Sequence, residues 1–364
     1  MASIARRPDG THRARFRDAA GREHARHFKR KVDAQRWLDE MTAAMVTGQY
    51  VDPAAGRLTV REYAEQWRAA QVHRPTTAAH VETMLRRHVY PTLGQKRLAS
   101  VLPSDIQGLV KRLSADLAPA TVGVVHRILA AVFKAAVRDR RIVASPCEGT
   151  RLPKVHRGRI EPLSWEAVQA LTDAMPDRYQ ALTTLAAGTG LRQGEVFGLT
   201  VDRIDFLRRQ LTVDRQLVTI PDRAPYLAPP KTQASVRLVP LPQVVLDALA
   251  AHLAEWPTDG LVFNTELGAP IRRTAFSARV WRPAVRRAGL SGVTFHSLRH
   301  FYASLLIRHG ESVKTVQARL GHASAAETLD TYSHLWPDSD DRTRAAVDSV
   351  MRGSADYVRT EHPL

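Results

Sequence analysis

Gly188-Thr-Gly-Leu-Arg-Gln-Gly-Glu195 reads as a helix end, a tight glycine loop and the first turn of a new helix. Such a loop brings backbone close to a ligand, and the dipole at a helix start favours the carboxylate of Glu195, which can then orient a neighbouring cation. Arg192 thereby becomes a candidate for gripping an anion. Working outward, the chain offers Lys231 in Pro230-Lys-Thr232, His296 and Arg299 in His-Ser-Leu-Arg-His300, His322 in Leu320-Gly-His322, and Tyr332. Guanidiniums match phosphate oxygens with a planar fork of donors and stay cationic. A phenol can serve as a covalent nucleophile, although its ordinary pKa of about 10 makes it weak until cations or a base activate it.

Taken singly, each part has a plainer reading. Arg-Gln-Gly-Glu is a helix N-terminus, Lys231 a solvated hairpin tip, His322 a helix cap or core histidine, and Tyr332 an amphipathic packing residue. His296 and His300 are spaced to share a helix face, but no glutamate follows the first histidine and no third ligand is evident, so the spacing does not make a zinc site.

At 364 residues the chain exceeds one ordinary core and predicts two or three domains; 44% hydrophobic content is ample for burying them. A formal charge of +17 points to a polyanionic partner. Lysine supplies 8 of the 53 basic residues, an arginine bias that a GC-rich genome would also give, but that does not explain the excess over acids. The basic residues run through every segment, as a track along nucleic acid requires and a juxtamembrane patch does not. Cys147 stands alone, so disulfides and cysteine metal cages are excluded, and it is expected to pack as a small hydrophobe. No apolar run is expected to reach membrane-spanning length and no signal-peptide core is visible, which leads to the expectation of a soluble, cytosolic (cytoplasmic) protein without a membrane partner.

Residues 1–50 alternate in Thr11-His-Arg-Ala-Arg-Phe-Arg17, turn at Asp18–Gly21 and resume from Arg22 to Phe28; a helix then begins near Lys31. Arg13, Arg15 and Arg17 are candidate DNA contacts on such a sheet, or else a solvated basic face. Residues 58–150 predict four or five helices, opening on a Thr59-Val-Arg-Glu62 capping box and closing on a stripe of Val125, Ile128, Leu129, Val132, Phe133 and Val137. Residues 151–162 form an extended basic linker with Arg151, Lys154, Arg157 and Arg159, suited to wrapping a duplex. Residues 163–345 predict helices around a small sheet, with Leu211–Ile220 and Ser235–Leu241 as its strands and Lys231 in the turn between them; 346–364 are a tail.

In this order the residues resemble the tyrosine recombinase (phage integrase) family, whose motif runs Arg, Lys, His-x-x-Arg, His or Trp, Tyr. The resemblance covers nearly the whole chain. It implies a multidomain, mainly α protein with small β-sheets: a small sheet plus helix as an arm-type DNA-binding domain, an all-α core-binding (SAM-like) domain and an α+β catalytic domain. It implies Tyr332 attacking a DNA phosphate to give a 3′-phosphotyrosyl link, with Arg192, Arg299 and His322 on the non-bridging oxygens. Lys231 would protonate the leaving 5′-oxygen, His296 would assist proton transfer at Tyr332, and Glu195 and His300 would support the site. No cofactor or metal is implied. The implied partners are double-stranded DNA at attachment sites, a homotetramer on DNA whose 337–364 segment docks onto a neighbour, a host DNA-bending factor and an excisionase. One departure is Ala323-Ser-Ala-Ala-Glu-Thr-Leu329, where the family often has Ser-x-x-x-Thr-Thr; Glu327 puts an acidic charge near the nucleophile. A topoisomerase-like nicking-closing enzyme and a non-catalytic DNA-binding relic are the competing readings.

Overall fold

The computed structural model describes residues 2–18, 21–47, 50, 55–155, 158–336, 343–345 and 347–351. The chain divides into two compact units, Met1–His156 and Arg157–Leu364.

In the first unit, β1 (Ser3–Arg6), β2 (His12–Arg17) and β3 (Glu23–Phe28) form an antiparallel sheet in that order, followed by α1 (Lys31–Val46). Strand alternation sorts the faces: Ala14 and Phe16 are buried against Ala34 and Leu38 of α1, while Arg13, Arg15 and Arg17 take the opposite side. There Glu23 lies 3.2, 3.8 and 3.9 Å from the three guanidiniums. One carboxylate for three arginines leaves a basic, solvated face.

The helices α2 (Val60–Ala69), α3 (Pro75–Met84), α4 (Tyr90–Leu93), α5 (Pro103–Asp116) and α6 (Pro119–Arg138) follow, with a wider turn, Leu85–Val89, carrying α3 on into α4. Thr59 and Glu62 close the capping box: the Thr59 N–H donates to Glu62 at 2.8 Å and the Glu62 N–H to Thr59 at 3.2 Å. Proline opens α3, α5 and α6, where its missing N–H has no partner to lose. Val122, Val125, Leu129, Val132 and Phe133 of α6 fill the core with Val60, Leu85 and Ile106, and Cys147 is buried in the same cluster. By length and composition α6 could cross a membrane, which corrects the expectation that no apolar stretch reaches that length. Its apolar residues are instead the centre of a helical core. After α6 the chain runs through turns at 139–140 and 146–149 and then carries no regular element over 150–155. Gln107 of α5 holds the Arg151 backbone from both sides, donating to its carbonyl at 3.1 Å and accepting its N–H at 3.0 Å. Arg151, Lys154 and Arg159 are exposed; Arg157 lies outside the described residues.

In the second unit, α7 (Trp165–Asp173), α8 (Asp177–Thr189) and α9 (Gln193–Phe197) lead into β4 (Ile204–Asp205), β5 (Gln210–Val213), β6 (Gln216–Val218), β7 (Tyr226–Ala228) and β8 (Arg237–Pro240). Then come α10 (Gln243–Glu255), α11 (Arg273–Phe276), α12 (Arg282–Arg287), α13 (Phe295–Arg308), α14 (Val313–Leu320) and α15 (Ala325–Tyr332). α8 is the central helix, with Leu182, Leu185 and Ala186 fully buried, and it packs against α7, α10 and α13. The predicted single strand Leu211–Ile220 is in fact two. β5 pairs antiparallel with β4 and β8, whereas β6 turns back on β7 as a separate hairpin. Lys231 therefore follows β7 rather than capping a simple β5–β8 turn. The break lies between β5 and β6, where Asp214 accepts from both Arg203 and Arg215 at 2.8 Å. The tail, predicted as 346–364, and the docking segment 337–364 fall mostly outside the described residues, of which 343–345 and 347–351 are exposed helix.

Leu129 is fully buried in the first unit's core. Leu129→Ala should lower unfolding free energy by about 3 kcal/mol, read as a lower urea midpoint, with the first unit's transition affected most.

Candidate active site

Helix ends build this site. α8 stops at Gly190 and α14 at Gly321, both left-handed (φ +64° and +65°). A glycine there ends the helix without a Cβ penalty and leaves the last carbonyls without intrahelical partners. At Gly190 a Cβ would also fall 2.5 Å from the Tyr302 ring. Arginines take those carbonyls. Arg237 Nε donates to Arg319 O at 2.8 Å, Arg299 Nη2 to Leu320 O at 2.7 Å, and Arg192 Nη2 to Gly321 O at 3.1 Å. Three successive carbonyls at the negative end of α14 thus hold three guanidiniums, and Arg299 Nη1 adds Gly190 O at 2.7 Å.

Glu195, in the first turn of α9, ties two of these arginines together. Its carboxylate accepts the Arg192 N–H at 3.0 Å, Arg192 Nη1 at 3.1 Å and Arg237 Nη2 at 2.9 Å. Burial alone would raise its pKa, but Arg237 and then Arg192 outweigh burial and hold it below the ordinary carboxylate value. Arg299 is 2% exposed. Burial, with Arg192 next, pulls it down to about 9, still well above neutral pH, so it remains cationic.

α13 begins after Thr294, whose N–H donates to Ser297 Oγ at 3.1 Å, and it carries His296, Arg299 and His300. Tyr332, the last residue of α15, is 1% exposed, and its hydroxyl lies 2.8 Å from His300 Nδ1. Burial pushes the phenol up to about 12; Arg299 works against that shift and Glu327 adds to it. His322 stacks nearly parallel to the Tyr332 ring, centroids 6.4 Å apart, with Nδ1 2.8 Å from Thr328 Oγ1 and Nε2 3.8 Å from Glu327. Burial first, then Arg299, depress His322 to about 4, with Glu327 opposing. Burial, His296 and Arg299 depress His300 to about 4 as well.

The structure therefore brings Arg192, Glu195, Arg299, His300, His322 and Tyr332 together. The sequence assigned proton transfer at Tyr332 to His296; the residue on the hydroxyl is His300, one helical turn further along α13. His296 is exposed and meets His300 edge-on, centroids 4.6 Å apart. Its pKa is lowered by partial burial of the ring and then by Arg299, Arg192 and Arg273. Lys231 is exposed. Its segment is tied to the site through the next residue: Thr232 Oγ1 meets Ser235 Oγ at 3.0 Å, and Ser235 Oγ accepts from Arg192 Nη1 at 3.5 Å. Arg237 and Ser235 were missed from sequence. The available signal was an arginine two residues before Val239 on the inward side of β8, where alternation calls for an apolar residue. Arg13, Arg15, Arg17, Arg151, Lys154 and Arg159 belong to other segments and take no part in these contacts.

Residues 161–338 match the profile of the "Phage integrase family" and residues 57–152 that of the "Phage integrase central domain". The chain is 29% identical to a putative prophage phiRv2 integrase of Mycobacterium tuberculosis over 323 residues, 84% of each chain. It is 32% identical to a XerC-like tyrosine recombinase of Caldanaerobacter subterraneus over 247 residues, 60% of this chain and 63% of the relative. Among solved structures it resembles the Tn1549 transposon integrase in complex with a circular intermediate DNA, with TM-score 0.68 and 23% identity over 80% of this chain and 99% of that one. It also resembles a lambda integrase dimer bound to a core site, with TM-score 0.62 and 17% identity over 92% and 96%. At these identities the likeness establishes the fold.

Arg237→Ala removes one cation from a buried carboxylate (side chains 6% and 3% exposed) and should cost about 3 kcal/mol or more of stability. Arg237→Lys should recover only part of that in thermal unfolding, since one ammonium cannot span Arg319 O and Glu195 together. His300 and His322 have folded pKa values near 4, below the unfolded value of about 6.5. Their neutral forms stabilise the fold fully above pH 6.5, and that contribution is lost as pH falls from there toward 4. Melting temperature should drop over that window, and a His300→Gln, His322→Gln double variant should flatten the dependence.

Proposed function

This chain belongs to the phage integrase family and is a site-specific tyrosine recombinase, a DNA-cleaving and rejoining enzyme; from that premise we propose how its residues carry out the strand transfer. Tyr332 Oη attacks the scissile phosphorus, the P–O5′ bond breaks, and a 3′-phosphotyrosyl link and a free 5′-hydroxyl result. Religation runs the same step backward with the 5′-hydroxyl of another strand, so the phosphodiester energy is conserved in the covalent link.

Arg192 and Arg299 cradle the non-bridging oxygens. Each Arg299 terminal nitrogen donates one N–H to a backbone carbonyl and keeps a second N–H for phosphate. Donors fixed in advance toward developing charge cost no reorganisation during the reaction. His322 adds a donor beside the tyrosine ring. Lys231, at the end of an exposed flexible stem, protonates the leaving 5′-oxygen. The observation that carries this reading is a buried phenol sharing one pocket with a buried, backbone-anchored guanidinium and two imidazoles. The arginines of β2 and of the 151–162 segment are assigned to DNA phosphates along the duplex.

The wider assembly follows the same premise. The substrate is double-stranded DNA at the attachment sites of a mobile element. The active species is a homotetramer, as a solved lambda integrase tetramer on a Holliday junction is, and direction is set by a host DNA-bending factor and an excisionase.

The test uses a nicked duplex carrying the junction sequence that flanks the chain's own element. Wild-type protein should form a covalent DNA adduct. Tyr332→Phe should form none while binding the duplex normally, and an adduct that persists in this variant would assign the nucleophile elsewhere. Arg192→Ala and Arg299→Ala should slow adduct formation roughly 100- to 1000-fold. Lys231→Ala should slow it too, and a 5′-bridging phosphorothiolate, which leaves without protonation, should restore its rate.

A further inference from the structure

The hydroxyl of Tyr332 has one hydrogen-bond partner among the described residues, His300 Nδ1 at 2.8 Å. A buried hydroxyl with a single partner places its hydrogen in that bond, because an unused donor away from water is costly. Nδ1 is then the acceptor, and the ring carries its own hydrogen on Nε2. The neutral state this needs is the one the surroundings enforce: burial, His296 and Arg299 all disfavour a proton on His300. The geometry is fixed from both sides. His300 is set on α13 one residue after Arg299, whose guanidinium is locked to Gly190 O and Leu320 O, and Tyr332 is set at the end of α15 with its ring against His322.

We propose that His300 is a catalytic residue of the strand transfer, the group that takes the proton from Tyr332 as the phenolic oxygen attacks phosphorus and returns it on religation. This rests on the function proposed above and assigns the one proton which that scheme leaves without a destination. The Tyr332 O–H bond breaks, its proton forms an N–H bond at His300 Nδ1, the oxygen's electron pair forms the O–P bond, and the P–O5′ bond breaks with its electrons on the 5′-oxygen, which Lys231 protonates. In the free protein the phenol is a far weaker acid than protonated His300, so no resting phenolate forms. Transfer becomes downhill only as the O–P bond forms and the hydroxyl turns acidic, while the docked phosphodiester offsets the Arg299 charge that, after burial and His296, disfavours a proton on His300. Nucleophile activation is thereby tied to substrate binding. His296, exposed and edge-on against His300, gives the proton a route to solvent.

His300→Phe keeps a ring in the cavity and removes the acceptor. On the nicked junction duplex, with DNA affinity measured alongside to confirm folding, it should form adduct about 100-fold or more slowly than wild type. Two rescues distinguish proton transfer from mere packing. Added imidazole should accelerate His300→Ala at least several-fold but leave Tyr332→Phe inert. Replacing Tyr332 with 3,5-difluorotyrosine, a stronger acid, should shrink the His300→Phe defect, whereas the 5′-bridging phosphorothiolate that rescues Lys231→Ala should not. A His300→Phe protein that forms adduct as fast as wild type, or faster, overturns the inference, since the bond to Tyr332 would then be a spectator or a latch. A slow variant that neither rescue touches overturns it in favour of packing. Wild-type protein that forms no adduct brings down the recombinase chemistry and this inference together, and the two failures are told apart by that wild-type control.

Discussion

Three consecutive backbone carbonyls, Arg319 O, Leu320 O and Gly321 O, hold the site of this protein in place. They are the partnerless last acceptors of α14, at the negative end of its dipole, and each takes a guanidinium: Arg237, Arg299 and Arg192 respectively. Guanidiniums crowded into one pocket repel one another, so something fixed must hold them. Backbone acceptors are well suited to that, since they cannot rotate away. Glu195 supplies the remaining negative charge by bridging Arg192 and Arg237 from within the protein.

From this anchorage the site acquires its direction. Arg299 spends one N–H of each terminal nitrogen on Gly190 O and Leu320 O, so two fixed acceptors hold its guanidinium in one orientation. The same charge lowers the proton affinity of the imidazoles around it: His296, His300 and His322 are all depressed, with burial the first cause for each. Neutral imidazoles at ordinary pH serve as acceptors and as uncharged donors, while positive charge stays on the arginines. Tyr332, buried and protonated, rests against such an acceptor. In the proposed mechanism, Tyr332 so arranged stays protonated and idle until an anion enters.

Glu327 is where this chain departs from its family's usual run. Its carboxylate lies 3.8 Å from His322 Nε2 and accepts the Ala323 N–H at 3.2 Å. It raises both His322 and Tyr332, opposing the arginines on each. The acidic side chain therefore tempers the positive field at Tyr332, and it also braces the turn between α14 and α15.

By itself the sequence determined the mainly helical fold, the sheet-plus-helix at the start, the α6 core stripe and the Thr59 capping box, and it offered Arg192, Lys231, His296, Arg299, His322 and Tyr332 as ordered candidates. Periodicity, caps and motif spacing are local properties, so one chain displays them. Tertiary structure alone decided that Leu211–Ile220 is two strands in two sheets, because pairing partners far along the chain, not propensity, choose where a strand ends. It also decided that His300, rather than His296, meets the Tyr332 hydroxyl. Both lie on one turn of α13, and which of them faces α15 depends on how the two helices pack. Arg237 was hidden for the same reason: its partners, Glu195 and Arg319 O, come from elements distant in sequence, and burying a guanidinium is tolerable only once those acceptors are in place.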